Sequence, residues 1–360
     1  MITIDVRWIN SSGIGTYIRN VVPGIIERLP NEQFSLIGNP CEIEGGGLQA
    51  SDRIHLISAE SKMYSIGEQF EMPRLIPKNT RLYFSPHYPI PLLYKGRMLV
   101  TIHDVFHLAM PKMTGGIHKL LYAKFMFSRV VQKASAIITD SLFTKAEIDK
   151  YVTGRLTDIY PIYLGVDPSW FLNETSEPIY SKPYLVFVGN IKPNKNLISL
   201  IQAFILVKEK IPHDLIIVGR KSGFITGDAQ VSELAKQHAD RIIFTDLLPD
   251  EQLKRYIKGA TALVFPSLYE GFGLPPLEAM ASGCPVLCSD RASLPEVCGD
   301  AALFCNPDSI EDLSEKIQLI ALNPELQNEL RVKGIAQAKK FTWEKTIEQT
   351  LRVIRGLLAE

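Results

Sequence analysis

The sequence predicts an α/β fold with two doubly wound domains that face each other across a cleft. Short β-branched apolar segments alternate with longer amphipathic ones, the pattern of parallel sheets covered by helices on both faces. The chain of 360 residues is too long for one ordinary core. A stretch rich in Pro, Ser and charge at 168–183 interrupts the pattern. We therefore expect domains at 1–170 and 171–340, with a terminal helix over 341–360.

In the first domain, MITIDVRW predicts a strand, and a glycine loop then leads to the helix TYIRNVVPGIIERL. The segment EIEGGGLQA predicts a flexible loop, and GIHKLLYAKFMFSRVVQKA an amphipathic helix. The further strands of this domain are predicted in QFSLIG, RIHLIS, RLYFSP, MLVTIHD, KASAIITDS and LTDIYPIYLGVD.

The second domain repeats the alternation of strands and helices. Its strands are predicted in PYLVFVGN, HDLIIVGR, DRIIFTDLL, ATALVFPS and CPVLCSD. After ATALVFPS, the loop LYEGFGL leads to a helix that Pro275 and Pro276 begin and Gly283 ends. Ligands of open α/β sheets bind beyond the carboxyl ends of strands, so the loops that follow strands are where we expect the site.

Composition and charge exclude several classes of protein. Lys plus Arg and Asp plus Glu are both 39, which argues against a dedicated nucleic-acid binder. The first residues do not resemble a signal peptide, and no apolar run reaches the length of a membrane span. We therefore expect a cytoplasmic protein. Four of the five cysteines lie in apolar surroundings without common zinc-ligand spacing, which predicts buried thiols.

Two glutamates, Glu270 and Glu278, bracket a loop rich in Gly and Pro. Gly271 and Gly273 allow backbone amides to approach a ligand closely, and the start of the following helix favours an anion such as phosphate. The carboxylates suit hydroxyl groups instead. The combination predicts a ligand with phosphates in the middle and polyols at both ends, a nucleoside diphosphate sugar. The alternative is an ordinary helix start that attracts acidic residues through its dipole.

Glu270 and Glu278, with seven residues between them, form the EX7E motif of retaining glycosyltransferases. The stretch from VFPSLYEGFGLPPLEAMASG to NPDS resembles the donor-binding half of family 4 (group 1) glycosyltransferases, which have the GT-B fold. The resemblance is nearest to mannosyl- and related hexosyltransferases of bacterial surface polysaccharides. It implies retaining transfer from a nucleoside diphosphate sugar to a saccharide or lipid-linked saccharide, and a closing helix that crosses back to the first, acceptor-side domain.

The resemblance also assigns roles to residues. Lys195 in VGNIKPNKNL stands where the family has a phosphate-binding Lys, whereas Asn190 replaces an Arg of many members. The catalytic candidates are His103, Glu270 and Lys195. Glu270 would hold the sugar and Glu278 the ribose. The donor-binding candidates are Gly13, Gly15, Asn190, Lys195, Gly271, Phe272, Gly273, Leu274 and Glu278.

His103 follows a strand in VTIHDVFHL and matches a functional His of the family, where it would position an acceptor hydroxyl or the donor sugar. His107 is a weaker candidate. Asp104 either orients the imidazole or caps the next segment. Asp246 stands where the family has a Gly near the nucleobase, so it receives no role.

We expect neither a metal nor a cofactor. The metal-binding Asp-x-Asp motif of the other main glycosyltransferase fold is absent from the sequence. Gly13 and Gly15 begin a GxGxxG pattern that fails at Ile18, which disfavours a nicotinamide-dependent dehydrogenase.

The segment 117–134 mixes basic residues with apolar ones at helical spacing. It predicts either a helix that docks on an anionic membrane or an amphipathic helix with a buried stripe and a solvated basic face. Two other functions stay open on this sequence: a nucleotide-sugar 2-epimerase, which needs no acceptor, and a non-catalytic scaffold of a polysaccharide assembly complex.

Overall fold

The computed structural model describes residues 1–154, 157–171, 179–219 and 229–359. The chain divides into two compact units, which we call unit 1 and unit 2. Unit 1 comprises Met1–Gly165 and Thr342–Glu360, and unit 2 comprises Val166–Phe341. Of the predicted linker, Pro168–Phe171 forms a 3-10 turn, while 172–178 lie outside the described residues.

Unit 1 is built on a parallel sheet with the strand order β3-β2-β1-β4-β5-β6-β7. Its strands are β1 (Ile2–Asp5), β2 (Phe34–Gly38), β3 (Ile54–Ser58), β4 (Leu82–Ser85), β5 (Met98–Ile102), β6 (Ala136–Thr139) and β7 (Ile159–Pro161). Its helices are α1 (Gly13–Arg28), α2 (Pro40–Gly45), α3 (Ile66–Leu75), α4 (Phe106–Ala109), α5 (Ile117–Lys133), α6 (Leu142–Tyr151) and, at the end of the chain, α14 (Trp343–Ala359).

Unit 2 repeats the architecture with the strand order β10-β9-β8-β11-β12-β13, again all parallel. Its strands are β8 (Tyr184–Val188), β9 (Asp214–Val218), β10 (Ile242–Phe244), β11 (Ala262–Phe265), β12 (Val286–Ser289) and β13 (Leu303–Cys305). Its helices are α7 (Leu197–Val207), α8 (Ala229–Gln237), α9 (Asp250–Gly259), α10 (Leu274–Ala281), α11 (Leu294–Cys298), α12 (Ile310–Leu322) and α13 (Pro324–Ala338).

The central strands are buried on both faces because their sequences are apolar at every position. Each residue of β1, β5 and β11 is buried, as expected of parallel strands covered by helices on both sides. The predicted α/β fold class with two doubly wound sheets is therefore confirmed.

Helix α14 belongs to unit 1 although it follows unit 2 in the sequence. Its buried side chains include Ile347, Leu351 and Ile354. The Thr346 hydroxyl donates a hydrogen bond to the Tyr163 carbonyl over 2.7 Å. The final segment of the chain thus completes the helical layer of the first unit.

Two elements differ from the sequence-based expectation. The predicted loop EIEGGGLQA begins inside helix α2, because Asn39 caps that helix by accepting a hydrogen bond from the Cys41 amide and Pro40 takes the first helical position. Strand β13 was not predicted, because its apolar segment is only three residues long. This strand is stabilised by backbone pairing with β12, which the local sequence does not indicate.

Candidate active site

Two loops of unit 2 meet where the direction of strand order reverses. From β8 the chain adds β9 and β10 on one side of the sheet and then β11 on the other. Such a switch point leaves a crevice at the carboxyl ends of the two central strands. The loops after β8 and β11 carry Lys195 and Glu270, and the Lys195 Nζ donates to the Glu270 Oε1 over 2.6 Å. Both side chains are only partly exposed, at 18% and 13%.

Lys195 is held by a strained backbone turn. It ends the 3-10 turn Pro193–Lys195, and the next residue, Asn196, is buried with a positive φ of 56°. The Asn196 side-chain amide Nδ2 donates to the Pro307 carbonyl over 2.8 Å, which stabilises a conformation that few residues other than Gly and Asn adopt. The Lys195 ammonium also lies 5.1 Å from the centroid of the Phe265 ring, a cation–π distance.

The loop that carries Glu270 is fastened through its backbone. The buried Ser293 hydroxyl lies 3.0 Å from the Glu270 carbonyl and 2.7 Å from the Phe272 carbonyl, and it donates to these acceptors. The Asn194 side-chain amide Nδ2 donates to the Tyr269 carbonyl over 3.1 Å. Because the loop is held at the carbonyls of Tyr269, Glu270 and Phe272, the direction of the Glu270 side chain is well defined.

Helix α10 begins directly after this loop. Gly273 occupies the N-cap position with a φ of 116°, a conformation that favours Gly. Pro275 and Pro276 have no amide hydrogen, so Leu274 alone among the first three helical residues has an N–H to offer. The loop residues Gly271 and Phe272 are buried before it. The start of α10 thus offers an anion fewer backbone N–H groups than an ordinary helix start does.

Glu278 lies one turn into α10 and is half-buried. Within the part of the chain that the structure describes, its carboxylate has no hydrogen bond and no ion pair. Burial raises the pKa of Glu278 to about 7. The negative charges of Asp250 and Asp167 add to this increase, and the positive charge of Lys254 opposes it. An unpaired carboxyl in such a position is suited to a ligand with hydroxyl groups.

Asn190 follows β8 and is half-buried. Its carbonyl accepts a hydrogen bond from the Lys192 amide over 2.9 Å, so the start of this loop is a tight turn. Unit 2 therefore brings together Asn190, Lys195, Glu270 and the 271–274 backbone on the loops that follow two neighbouring strands.

Unit 1 holds His103, which follows β5. Its Nδ1 lies 2.7 Å from the Asp140 Oδ2 and its Nε2 lies 2.8 Å from the Pro86 carbonyl. Both partners are acceptors, an arrangement that favours protonation of both ring nitrogens and therefore the cationic imidazole. Burial opposes this charge, but the Asp140 carboxylate and the two hydrogen bonds raise the pKa of His103 above its ordinary value.

Asp104 does not orient the imidazole. Its carboxylate accepts a hydrogen bond from the Phe106 amide over 2.9 Å, so it caps the segment that begins α4, the second of the two predicted alternatives. The orienting residue is Asp140, which sequence analysis missed. The signal available for it was an acidic residue directly after the strand in KASAIITDS.

Gly13 and Gly15 lie at the start of α1. Gly13 is exposed, and a side chain there would meet no atom within 4 Å. Gly15 is buried, and a Cβ atom there would lie 2.4 Å from the Ile9 carbonyl oxygen. Close packing against Ile9 therefore requires a glycine at position 15, whereas the space around Gly13 is free.

Helix α5 in unit 1 has two apolar faces. Ala123, Phe127 and Val130 are buried in the core, whereas Ile117, Leu121 and Phe125 are exposed at 69%, 59% and 47%. The exposed three are spaced four residues apart and so form one stripe, which we call the α5 stripe. The same helix also carries the exposed basic residues Lys119, Lys124 and Arg129.

The predicted buried thiols are confirmed: Cys284, Cys288, Cys298 and Cys305 are free and buried. Across the described ranges, no cluster of three or more His, Cys, Asp or Glu side chains is placed to hold a metal ion. Nor does any helix in the described part of the chain have both the length and the apolar character needed to cross a bilayer.

The second half of the chain matches a known family. Residues 172–341 match the family described as Glycosyl transferases group 1. The O-antigen chain mannosyltransferase B of Escherichia coli is 30% identical over 289 residues, which are 77% of this chain and 74% of that one. The O-antigen chain mannosyltransferase RfbU of Salmonella typhimurium is 30% identical over 251 residues, 69% and 67% of the two chains.

A solved structure extends the likeness to the whole fold. WaaG, a glycosyltransferase involved in lipopolysaccharide biosynthesis, superposes with a TM-score of 0.76 and 13% identity, over 99% of this chain and 100% of that one. At this identity the likeness concerns the fold alone. The two parallel-sheet units, the family match and the related sequences agree, and the chain belongs to the group 1 glycosyl transferases and is a glycosyltransferase of the GT-B fold.

Proposed function

We propose that this enzyme moves a mannosyl or similar hexosyl unit from a nucleoside diphosphate sugar to a saccharide or lipid-linked saccharide, with retention of configuration, in the synthesis of a surface polysaccharide. The observation that carries the proposal is the 2.6 Å ion pair of Lys195 and Glu270 at the switch point of unit 2. The mannosyl unit and the polysaccharide are suggested by the names of the two related sequences.

The diphosphate of the donor would bind to Lys195. An ammonium group has three N–H donors, so Lys195 can keep its hydrogen bond to Glu270 and still donate to a phosphate oxygen. The Leu274 amide and the positive end of the α10 dipole add to the same attraction. These groups would stabilise the negative charge that develops on the departing nucleoside diphosphate. The backbone of the turn at Asn190 would lie next to the diphosphate.

Glu278 would bind the ribose of the nucleotide. Its carboxylate is half-buried and unpaired among the described residues, so two neighbouring hydroxyl groups can donate to it. A partner of this kind offsets the cost of burying the charge. Binding would therefore favour the ionised form of Glu278 and lower its pKa below the value of about 7 in the unbound protein.

Glu270 would hold the hydroxyls of the transferred sugar. In the reaction, the acceptor oxygen bonds to the anomeric carbon, and the bond from that carbon to the diphosphate oxygen breaks. The proton of the acceptor hydroxyl passes to the departing phosphate on the same face of the sugar. Glu270, fixed by Lys195 and by the Ser293 hydroxyl, would position the sugar for this step.

His103 would position the acceptor rather than remove its proton. Both of its ring nitrogens donate to protein acceptors, so the ring has no free lone pair to act as a base. Its positive charge would instead attract an electron-rich oxygen nearby. At the start of α1, the backbone amides of Gly13 and Gly15, both in the first helical turn, would donate to the acceptor or to phosphate.

The α5 stripe would rest on a membrane that carries the acceptor. Its three apolar side chains are exposed in a helix that also carries basic residues. Apolar burial and attraction to anionic lipids together favour such binding. We accordingly propose a cytoplasmic enzyme that binds peripherally to the inner face of the cell membrane.

The proposal is tested by thermal-shift measurements with UDP, GDP, ADP, dTDP and their sugars, without added metal. A ligand at a hundred times its dissociation constant adds about 2.7 kcal/mol of stability. We expect a clear shift with one nucleotide, reduced in both Lys195→Ala and Glu278→Ala. No shift with any of them in a folded sample would overturn the donor site.

The nucleotide sugar that gives a shift is then incubated with acceptor candidates, and the anomeric configuration of the product is read by NMR. An inverted product would contradict retention. Release of an epimerised sugar without any acceptor would favour the 2-epimerase instead.

A further inference from the structure

We propose that unit 1 contains a saccharide-binding subsite built on Trp8, Tyr64, His87 and Tyr122, and that this subsite, which we call the aromatic subsite, binds a sugar ring of the acceptor. That the bound sugar belongs to the acceptor rests on the proposed function. All residues of the subsite lie in unit 1.

Three of the four side chains follow strands of the same parallel sheet, beyond their carboxyl ends, and two of these strands, β1 and β4, are neighbours. Trp8 follows β1, Tyr64 follows β3 and His87 follows β4. The strand order of unit 1 changes direction at β1 and β4, so this is the place where the fold opens a crevice. Tyr122 is supplied by α5.

The rings form a continuous aromatic surface. The Trp8 centroid lies 5.5 Å from that of Tyr64 and 4.8 Å from that of His87, and the Tyr64 and Tyr122 centroids are 5.9 Å apart. All three pairs are edge-to-face. Tyr64 is 42% exposed and Trp8 is half-buried, so the surface reaches solvent instead of being closed in the core.

The position of Tyr64 is imposed by its surroundings. Its φ is +63°, a conformation that bulky residues rarely adopt. The Tyr64 amide donates to the Glu68 Oε2 over 2.7 Å, and its hydroxyl lies 2.7 Å from the His87 Nε2. Glu68 is itself buried and ion-paired to Arg7 at 2.7 Å. A strained, exposed aromatic residue that is fixed from both ends is typical of a ligand-binding position.

The chemistry of the surface fits an uncharged polyol. The charged groups behind it carry no excess positive charge, since the single cation Arg7 pairs with two carboxylates, Asp5 at 2.6 Å and Glu68 at 2.7 Å. Burial and the charge of His103 lower the pKa of His87 well below its ordinary value, so His87 is neutral. A phosphate or carboxylate would find no free charge of opposite sign on these side chains, whereas the C–H face of a pyranose matches the aromatic rings.

Hydroxyl groups would also find partners. In the described residues, the His87 Nδ1 and the Tyr122 Oη are buried without a hydrogen-bond partner. Unsatisfied polar atoms of this kind cost free energy, and a ligand rich in hydroxyls can offset that cost after small side-chain movements. A few polar atoms among aromatic rings are the usual composition of a small-molecule site.

The aromatic subsite lies beside His103. The His87 and His103 rings are stacked with their centroids 6.3 Å apart. A sugar ring on Trp8 and Tyr64 would therefore be held next to the residue that we propose positions the acceptor hydroxyl. This proximity is the reason to assign the subsite to the acceptor.

The subsite is tested by saturation-transfer difference NMR of the full chain with methyl α-mannopyranoside and an α-linked mannobiose. We expect ring protons of the sugar to receive saturation from the wild type. The signal should fall at least fivefold in Trp8→Ala and Tyr64→Ala, and persist in Trp8→Phe, which keeps an aromatic face. Tyr160→Ala, which removes an exposed tyrosine on β7, should match the wild type and serves as the control.

Equal signals in the wild type, Trp8→Ala and Tyr64→Ala would overturn the subsite, as would equal losses in Tyr160→Ala. Should Tyr64→Ala fail to fold, Tyr64→Leu and Trp8→Leu, each checked by its melting temperature, decide the question in the same way.

Steady-state kinetics separate this inference from the proposed function. In an active transfer assay, Trp8→Leu should raise the KM for the acceptor about tenfold while the affinity for the nucleotide stays unchanged. Transfer that proceeds with an unchanged acceptor KM would reject the subsite and leave the function standing. If the protein binds no nucleotide but binds sugar in a way that depends on Trp8, the proposed function is rejected and the subsite stands.

Discussion

Lys195 and Glu270 are 75 residues apart in the sequence, and their side chains meet at 2.6 Å across the two central strands of unit 2. The pair joins the group proposed to hold the diphosphate to the group proposed to hold the sugar. Each partner keeps the other in place, so neither has to be ordered when the donor binds, and part of the entropic cost of binding is met in advance.

The first prediction concerns this pair. Lys195→Ala should weaken nucleoside diphosphate binding about tenfold to a hundredfold, because it removes a hydrogen bond to a charged group worth roughly 1.5–3 kcal/mol. Glu270→Gln should leave that affinity within a few-fold but lower kcat at least tenfold. Calorimetric titration with the nucleotide and initial rates of transfer measure the two effects. Lys192→Ala, on an exposed lysine of the same loop, is the comparison, and an equal effect from it would contradict the role of Lys195.

The second prediction concerns Glu278. Its pKa in the folded protein is about 7, against a reference value of 4.5, so the folded state binds the proton more tightly than the unfolded state. The stability of the unliganded protein should therefore fall as pH rises from 4.5 to 7. Glu278→Gln should raise the free energy of unfolding at pH 8 by up to about 3 kcal/mol, with no gain at pH 4, and should weaken nucleotide binding.

Chemical denaturation at pH 4 and pH 8 measures the stability of this variant. Glu315→Gln, on the exposed face of α12, is the matched control and should change little at either pH. A Glu278→Gln protein that is less stable than the wild type at pH 8 would show that the carboxylate has a stabilising partner.

The third prediction concerns His103 and Asp140. Asp140→Asn should lower the pKa of His103 toward its ordinary value of about 6.5, because the carboxylate that stabilises the imidazolium is removed. The pair stabilises the wild type fully below about pH 6.5, and this contribution is lost as pH rises through the raised pKa of the folded protein. Titration of the ring C–H signals of His103 by NMR follows the change. An unaltered His103 titration would rule out this pairing.

The fourth prediction concerns the α5 stripe. Leu121→Glu should reduce binding to vesicles of phosphatidylglycerol and phosphatidylethanolamine by at least fivefold in co-sedimentation, because it places a negative charge among exposed apolar side chains. Leu322→Glu changes an exposed leucine of α12 in unit 2, 49% exposed, and should bind like the wild type. Unchanged binding of Leu121→Glu, or no binding by the wild type, would refute the membrane contact.

Much of the fold was predictable from local patterns. Strands such as β8 and β11 are apolar at nearly every position, and such strands are stable only when helices cover both faces. Where a signal was short or local, the prediction failed. Strand β13 is three residues long and depends on β12 for its pairing. Helix α2 begins with an Asn39 cap, but the glycines at its end led to the prediction of a loop.

The sequence by itself determined which loops could carry chemistry, since a parallel sheet places the carboxyl ends of its strands at one edge. It therefore pointed to Lys195, Glu270, Glu278 and His103. Only the tertiary structure decided which groups touch. It pairs Lys195 with Glu270, and it chooses Asp140 over the adjacent Asp104 as the partner of His103. The reason is physical: side-chain contacts between strands depend on strand order and register, which no local pattern of residues encodes.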